Sequence, residues 1–134
     1  PDNRRDFPGG WTGDARNAFT SEGRAPHERE VFDHLKRVVR LRRELEPLRR
    51  GKLVTLAVAD QQYAFARQTP RESVIVVFNN DSKAAQVEID TSPLKLADGK
   101  TLGDRLKVVK DVRVDNAMMR VAMPARSASI FTVK

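Results

Sequence analysis

Hydrophobic and polar positions follow three different patterns along the chain. Residues 1–24 show no apolar period and are interrupted by proline and glycine, which predicts a loop. Residues 26–45 carry apolar side chains at helical spacing, which predicts one amphipathic helix. Its apolar stripe comprises Val31, Phe32, Leu35, Val38, Val39, Leu41 and Leu45. From residue 52 onward, short β-branched or alternating runs predict strands.

These strand-like runs are separated by turn sequences rich in Asn, Asp, Gly and Pro. They lie at 53–59, 63–68, 73–79, 85–90, 107–114, 117–123 and 127–134. Their short, regular spacing predicts an antiparallel β-sandwich of about seven or eight strands. The run 74–78 (VIVVF) is apolar on both faces, as expected for a central strand. The predicted fold class is therefore mainly β, with a long loop and one helix in front of the sandwich.

Arg42 lies inside the apolar arc of the predicted helix. We expect Arg42 to be partly buried. Because a buried positive charge needs partners, we also expect its guanidinium to pair with a carboxylate or with backbone carbonyls. Pro26 suits the first helical turn, and Pro47 and Gly51 are expected to end the helix.

Composition narrows the classes of function. The 134 residues, 40% of them hydrophobic, are enough for one domain, or for one domain with an appendage. Cysteine is absent, which excludes disulfides, thiolate metal sites and cysteine nucleophiles and leaves the cellular compartment open. No run approaches the roughly 20 apolar residues of a membrane span, so no membrane partner is expected.

The formal net charge of +7 is spread along the chain. Residues 1–51 hold 12 Lys/Arg against 9 Asp/Glu, and residues 52–134 hold 13 against 9. Phosphate binding requires a concentrated basic patch, so a nucleic-acid partner is not favoured. The arginine-rich helix is better explained as the solvated face of an amphipathic helix, and a basic nucleic-acid module is kept only as a third hypothesis.

The histidines and carboxylates of the chain are not spaced as metal ligands or catalytic groups would be. His27 and His34 lie two helical turns apart, about 10 Å by the helical rise, which is too far to share one metal ion. Glu88 and Asp90 alternate with Val87 and Ile89, so both carboxylates should face solvent. Taken by itself, the strand region therefore predicts no catalytic constellation, and no metal or cofactor is predicted for the chain.

The opening loop holds the residue types that line carbohydrate sites, namely planar donors for hydroxyls and an aromatic face for a sugar ring. These are Asn3, Arg4, Arg5, Asp6 and Trp11. The alternative is an ordered connecting loop that packs through Phe7, Trp11 and Phe19, with Trp11 as its anchor. Composition alone favours this packed loop.

The order of the segments resembles the C-terminal end of an α-amylase family glycoside hydrolase, of the neopullulanase and cyclomaltodextrinase branch. The resemblance rests on the loop PDNRRDFPGGW (1–11), the helix ending LRRELEPLRRG (41–51) and the strands YAFAR and VIVVFNN. It covers essentially the whole chain, and the loop is its most specific part. It implies that residues 1–51 are a remnant of a (β/α)8 barrel, with loop 1–24 and last helix 26–45. Residues 52–134 would then be the C-terminal β-sandwich domain.

The resemblance also implies what the chain contains of the enzyme. The family's three catalytic carboxylates, which run a retaining mechanism, would lie upstream of Pro1. We therefore expect an inactive fragment cut within a barrel loop, whose parent acts on maltooligosaccharides, cyclodextrins or pullulan. The family's Asp-Pro-x-x-Arg pattern binds a sugar, and Pro1–Arg4 matches its last four positions. Arg4 is thus the substrate-binding candidate, with the leading Asp absent.

Two further expectations follow. The second hypothesis is a stand-alone glycan-binding sandwich using Trp11 or Tyr63, which is disfavoured because one Trp and one Tyr lie in separate segments. Under the fragment hypothesis, the helix stripe lacks its barrel partner. The stripe should then fold onto the sandwich, pair with a second copy or remain exposed, and residues 1–24 should be loosely held.

Overall fold

The computed structural model describes residues 6–134, which form two α-helices, a short 3-10 helix (Ser92–Leu94) and eight strands. The helices are α1 (Pro26–Glu44) and α2 (Glu46–Arg50). The strands are β1 (Lys52–Val58), β2 (Gln62–Gln68), β3 (Ser73–Asn79), β4 (Ala85–Asp90), β5 (Thr101–Asp104), β6 (Val112–Asp115), β7 (Met118–Met123) and β8 (Ser127–Val133). The prediction of a mainly β fold with a loop and a helix in front is confirmed.

The chain divides into two units, one ending at Arg40 and the other comprising Leu41–Lys134. In the first, described from residue 6, a loop leads into α1. The second contains the last residues of α1, then α2 and all eight strands. The division into barrel remnant 1–51 and sandwich 52–134 concerns a parent enzyme and stays a prediction.

All strand pairs are antiparallel, in the order β1-β2-β3-β8-β5-β6-β7-β4. β1 and β4, at opposite ends of this order, also contact each other, so the sheet folds over into a nearly closed sandwich. β3 lies between β2 and β8 and is buried along most of its length, which confirms the prediction of a central strand.

The core forms between the two inner faces of the folded sheet. Alternating residues of each strand point into it, as the two-residue period of a strand requires. On β4, Val87 and Ile89 are buried while Glu88 and Asp90 are exposed, so the predicted solvent face is confirmed. Glu88 pairs across the ladder with Arg120, at 2.9 Å. Phe131 is the largest of the fully buried side chains.

The predicted strand 107–114 is wrong in its first part. Residues 107–111 are irregular, and β5 was missed because it follows directly on a turn sequence. The carboxylate of Asp104 explains the irregular path. It accepts from the amides of Leu106 (2.9 Å), Val108 (2.7 Å) and Val109 (3.1 Å), which curls the segment around one side chain.

The predicted helix also ends differently. α1 stops at Glu44, and Pro47 lies near the start of the short α2 rather than ending α1. Arg42 donates to the carbonyl of Leu48, so its expected pairing with a backbone carbonyl is confirmed. Its expected burial is wrong, because the residue is exposed. α2 contacts β2 and β3 and turns the chain into the sheet.

The side chain of Asn79, buried at the end of β3, ties three segments together. Its amide nitrogen donates to the carbonyls of Lys83 (2.8 Å), Met123 (3.3 Å) and Pro124 (2.9 Å). Its amide oxygen accepts from Gln62 and from the backbone of Asp81. Every buried polar atom of this side chain is therefore satisfied.

Candidate functional site

The sugar-binding candidate Arg4 lies outside the described residues, as do Asn3 and Arg5. The described part of the loop begins at Asp6, two residues after Arg4, and leads directly into α1. The contacts of residues 6–25 therefore describe how this loop is attached to α1.

A tight turn around Asp14 organises the start of the described loop. One carboxylate oxygen of Asp14 accepts from the amides of Gly9 (2.7 Å) and Trp11 (3.2 Å). Gly9 has a φ of +98°, and a β-carbon there would stand 2.4 Å from the side-chain oxygen of Asn17. Glycine is therefore required by both its conformation and the close approach of Asn17.

Trp11 does not anchor this loop. Its side chain is 70% exposed, so the interpretation of Trp11 as a packing anchor is wrong. Phe7 and Phe19 do contact each other edge to face, with ring centroids 4.8 Å apart, but both remain largely exposed. Hydrogen bonds between side chains and the loop backbone, rather than packing of the aromatic rings, hold the loop.

Arg24 fixes the end of the loop against α1. Its guanidinium donates to the carbonyls of Ala18 (2.9 Å) and Phe19 (2.8 Å) and lies 3.5 Å from the centre of the Phe32 ring. Arg29 donates from the helix to the carbonyl of Ser21. These contacts hold the described part of the loop locally to the start of α1. The expectation that residues 1–24 are loosely held stays a prediction.

Glu28 caps the first turn of α1. It accepts from the amide of Ala25 at 2.8 Å, half of a capping box, and forms a two-pronged ion pair with Arg16 at 2.6 and 3.0 Å. The hydrogen bond from Arg16, followed by that from Ala25, lowers the pKa of Glu28 below its usual range. The sequence signals only a carboxylate near a helix start; the partner, twelve residues earlier, cannot be predicted from spacing.

A groove of about 480 Å³ lies between this loop and the first turns of α1. Its apolar lining includes Phe7, Val31, Phe32 and Leu35, and Arg24 and Glu28 line it as well. Among the stripe residues, Val31, Phe32, Leu35 and Val39 are 40–59% exposed. The helix therefore presents the apolar surface that the sequence predicted.

The two histidines lie apart, and His27 lines the groove described above. His27 and His34 are both exposed on α1. Within residues 6–134, no three acidic or histidine side chains come together as a metal site would require. Of the helices described, none is long and apolar enough to span a bilayer.

Tyr63 has aromatic neighbours that the sequence did not predict. Phe65 lies two residues along β2 with its ring centroid 5.5 Å from that of Tyr63, and the Phe78 ring on β3 stacks 6.3 Å from that of Phe65. The Tyr-x-Phe spacing of β2 indicates a shared face. Phe78 could be placed beside them only from the register, in which it pairs directly with Tyr63.

Comparison with known proteins places this fold in a family. The sequence profile described as "Alpha-amylase C-terminal domain" matches residues 51–131. The chain is 34% identical over 83 residues to a cyclomaltodextrinase of Thermoanaerobacter pseudethanolicus, covering 58% of the chain and 14% of that protein. It is 34% identical over 116 residues to an amylopullulanase of Thermoanaerobacter thermohydrosulfuricus, covering 79% of the chain and 7% of that protein.

Solved structures give the same result. An α-amylase of Geobacillus thermoleovorans, solved with acarbose, superposes with a TM-score of 0.70 at 26% identity over 84% of this chain and 26% of its own. An Anoxybacillus α-amylase superposes with a TM-score of 0.72 at 26% identity over 90% of this chain and 25% of its own. The chain spans a quarter or less of most such relatives, and it belongs to the family of α-amylase C-terminal domains.

Proposed function

We propose that the chain is the C-terminal part of an α-amylase family glycoside hydrolase that acts on α-glucans such as maltooligosaccharides, cyclodextrins or pullulan. The main support is the family match over residues 51–131. Similarity to two α-amylases covers 84% and 90% of the chain, which is more than the sandwich alone. We therefore include the loop and α1, together with the sheet, in the proposed C-terminal part of the enzyme.

In this proposal, catalysis takes place in a barrel encoded ahead of Pro1. A retaining mechanism uses one carboxylate as nucleophile and a second carboxyl group as acid and base. Asp14 and Glu28 are both engaged with the loop itself, Asp14 with two amides and Glu28 with Arg16 and Ala25. We assign neither of them a catalytic role, and we expect the 134-residue chain alone to be inactive.

Arg4 is proposed to bind a glucose unit of the substrate. A guanidinium offers several donors in one plane, which suits neighbouring sugar hydroxyls. Loops after barrel strands build the active sites of barrel enzymes, and the loop containing Arg4 would be one of them. The Asp14 turn and the Arg24 and Glu28 contacts would hold the far side of this loop to α1.

The missing barrel is the proposed partner of the helix stripe. Val31, Phe32, Leu35 and Val39 are apolar and substantially exposed, and the adjoining groove is largely apolar. Burying such a stripe against a barrel would contribute roughly 25 cal/mol per Å² of apolar surface removed from water. The sandwich would then stabilise the barrel, and in the isolated chain a second copy can take the barrel's place.

The test uses the complete product of the reading frame that contains this chain. We expect that product to hydrolyse cyclodextrin or pullulan with retention of anomeric configuration. Arg4→Ala should raise KM by about tenfold, because losing one charged hydrogen bond costs about 1.5 kcal/mol or more. Arg71→Ala, an exposed arginine between β2 and β3, is the control and should leave KM unchanged.

Two results would contradict the proposal. One is a complete product that contains no barrel and has no activity on α-glucans. The other is an active enzyme in which Arg4→Ala and Arg71→Ala behave alike, which would remove Arg4 from the substrate site while leaving the reaction in place.

A further inference from the structure

We propose that the outer face of β2 and β3, at the end nearest the β1–β2 turn, binds an α-glucan chain. The surface, here called the aromatic face, is formed by Gln61, Tyr63, Phe65, Phe78 and Asn80. The choice of ligand class rests on the function proposed above. The existence of the surface rests on the sheet alone.

The register brings the three rings together. Ala64 and Ala66 point into the core, so Tyr63 and Phe65 occupy the opposite face of β2. Phe78 pairs directly with Tyr63 across the ladder and is 41% exposed. The planes of neighbouring rings are inclined by 33° and 24°, a tilted and a stacked arrangement, so the three rings form one row on the sheet. The exposed part of this row can pack against the C–H groups of a sugar ring.

An amide pair closes one end of this row. The backbone of Asn80 donates to the carbonyl of Gln61 at 2.8 Å, which continues the β2–β3 ladder one pair beyond Tyr63 and Phe78. The side chains of the same two residues are hydrogen-bonded to each other at 3.1 Å and are exposed. Planar amides held in place offer both donors and acceptors to sugar hydroxyls.

The charge of the surface fits the same ligand. All five residues of the aromatic face are neutral, as are Thr55 and Val58 on the adjoining β1, in a chain of which 32% is charged. The Tyr63 hydroxyl lies 3.5 Å from that of Thr55 and adds a further polar group at the edge. A neutral, polyhydroxylated chain matches this combination.

The experiment is isothermal titration calorimetry of the 134-residue chain with maltoheptaose. We expect saturable binding that Phe78→Ala and Tyr63→Ala each weaken by about tenfold, the loss expected for truncating a central aromatic contact. Phe78→Leu keeps an apolar side chain but removes the ring, and it should weaken binding as well. Val108→Ala is the matched control, since Val108 is 40% exposed and lies in the 107–111 segment. Circular dichroism checks the fold of each variant.

Three outcomes would overturn the proposal. If binding is absent while the complete enzyme acts on α-glucans, the proposed function stands and the aromatic face has no part in it. Binding that the control and Phe78→Leu affect equally would place the ligand elsewhere. If the chain does not bind maltoheptaose but Phe78→Ala abolishes its self-association, the surface contacts protein rather than sugar.

Discussion

Asn79 holds the turn after β3 and the end of β7 through one side chain. No backbone ladder makes these connections, because the carbonyls of Lys83 and Pro124 lie outside the strands. The second asparagine of the run VIVVFNN, Asn80, contributes differently, since it is exposed. Two adjacent asparagines in the sequence thus have unequal roles.

Asn79→Ala is expected to lower the free energy of unfolding by about 2–3 kcal/mol, because buried carbonyls lose their donor. Urea denaturation of the two proteins measures the difference. Asn80→Ala is the control, and its effect should stay within about 0.5 kcal/mol, as for most exposed positions. Equal losses for the two variants would show that the buried hydrogen bonds do not stabilise the sandwich.

The Glu28 carboxylate gives the start of α1 a dependence on pH. Its pKa is lowered in the folded chain, chiefly by the hydrogen bond from Arg16. The stabilisation is therefore complete above the pKa of an unfolded glutamate and is lost as the pH falls through the lower, folded value. We expect the first turn of α1 to loosen only in that acidic range.

Arg16→Gln should move the pKa of Glu28 back toward its usual value. Carboxyl carbon chemical shifts followed by NMR during an acid titration measure this directly. Arg29→Gln serves as the comparison, since Arg29 donates to the Ser21 carbonyl and not to Glu28. An unchanged Glu28 titration in Arg16→Gln would mean that the ion pair does not persist in solution.

At the scale of elements, the sequence predicts helices and strands well where the run of alternating or helically spaced residues is long. The helix and seven of the eight strands fall in runs predicted from apolar spacing, with β6 forming only the second part of the run 107–114. β5 is missed because its four residues follow directly on a turn sequence and are too few to show alternation of their own. Residues 107–111 look like a strand but are held by Asp104, whose carboxylate also accepts from Ser129 and Ile130 on β8. Tertiary hydrogen bonds overrode local pattern there.

The apolar stripe of α1 should make the 134-residue chain associate. We expect a Val31→Ser, Leu35→Ser, Val39→Ser triple variant to bind less of a hydrophobic dye and to sediment as a smaller species, because exposed apolar area is removed. A control with Asp33→Ser and Lys36→Ser changes the polar side of the same helix. Equal dye binding and sedimentation by the two variants would remove the stripe as the associating surface.

At the scale of the whole molecule, the two units differ in how many apolar side chains they bury. Among the described residues up to Arg40, Ala18 is the buried apolar residue, whereas the sandwich buries a continuous core. Local opening is easiest where few apolar side chains are buried. Hydrogen exchange followed by mass spectrometry should therefore show fast exchange over residues 26–40 and slow exchange over β3. Comparable protection of both segments would contradict this.

The candidate site was less predictable than the fold. The carbohydrate-type residues of the loop could be recognised by type, but the exposure of Trp11 depends on the Asp14 turn, which spacing does not reveal. Likewise, Tyr63 acquires its aromatic neighbours only through the pairing of β2 with β3. The chemical type of each side chain can be read from the sequence, but which side chains become neighbours on adjacent strands cannot.

The position of β8 has a consequence for synthesis on the ribosome. β8 follows every other strand in the chain, yet it lies between β3 and β5 in the sheet. Until residues 127–133 have been translated, β3 and β5 each expose an unpaired edge, and such edges invite pairing with other chains. The nascent domain is thus vulnerable to aggregation until its last strand emerges, and a premature stop codon before residue 127 would leave that vulnerability permanent.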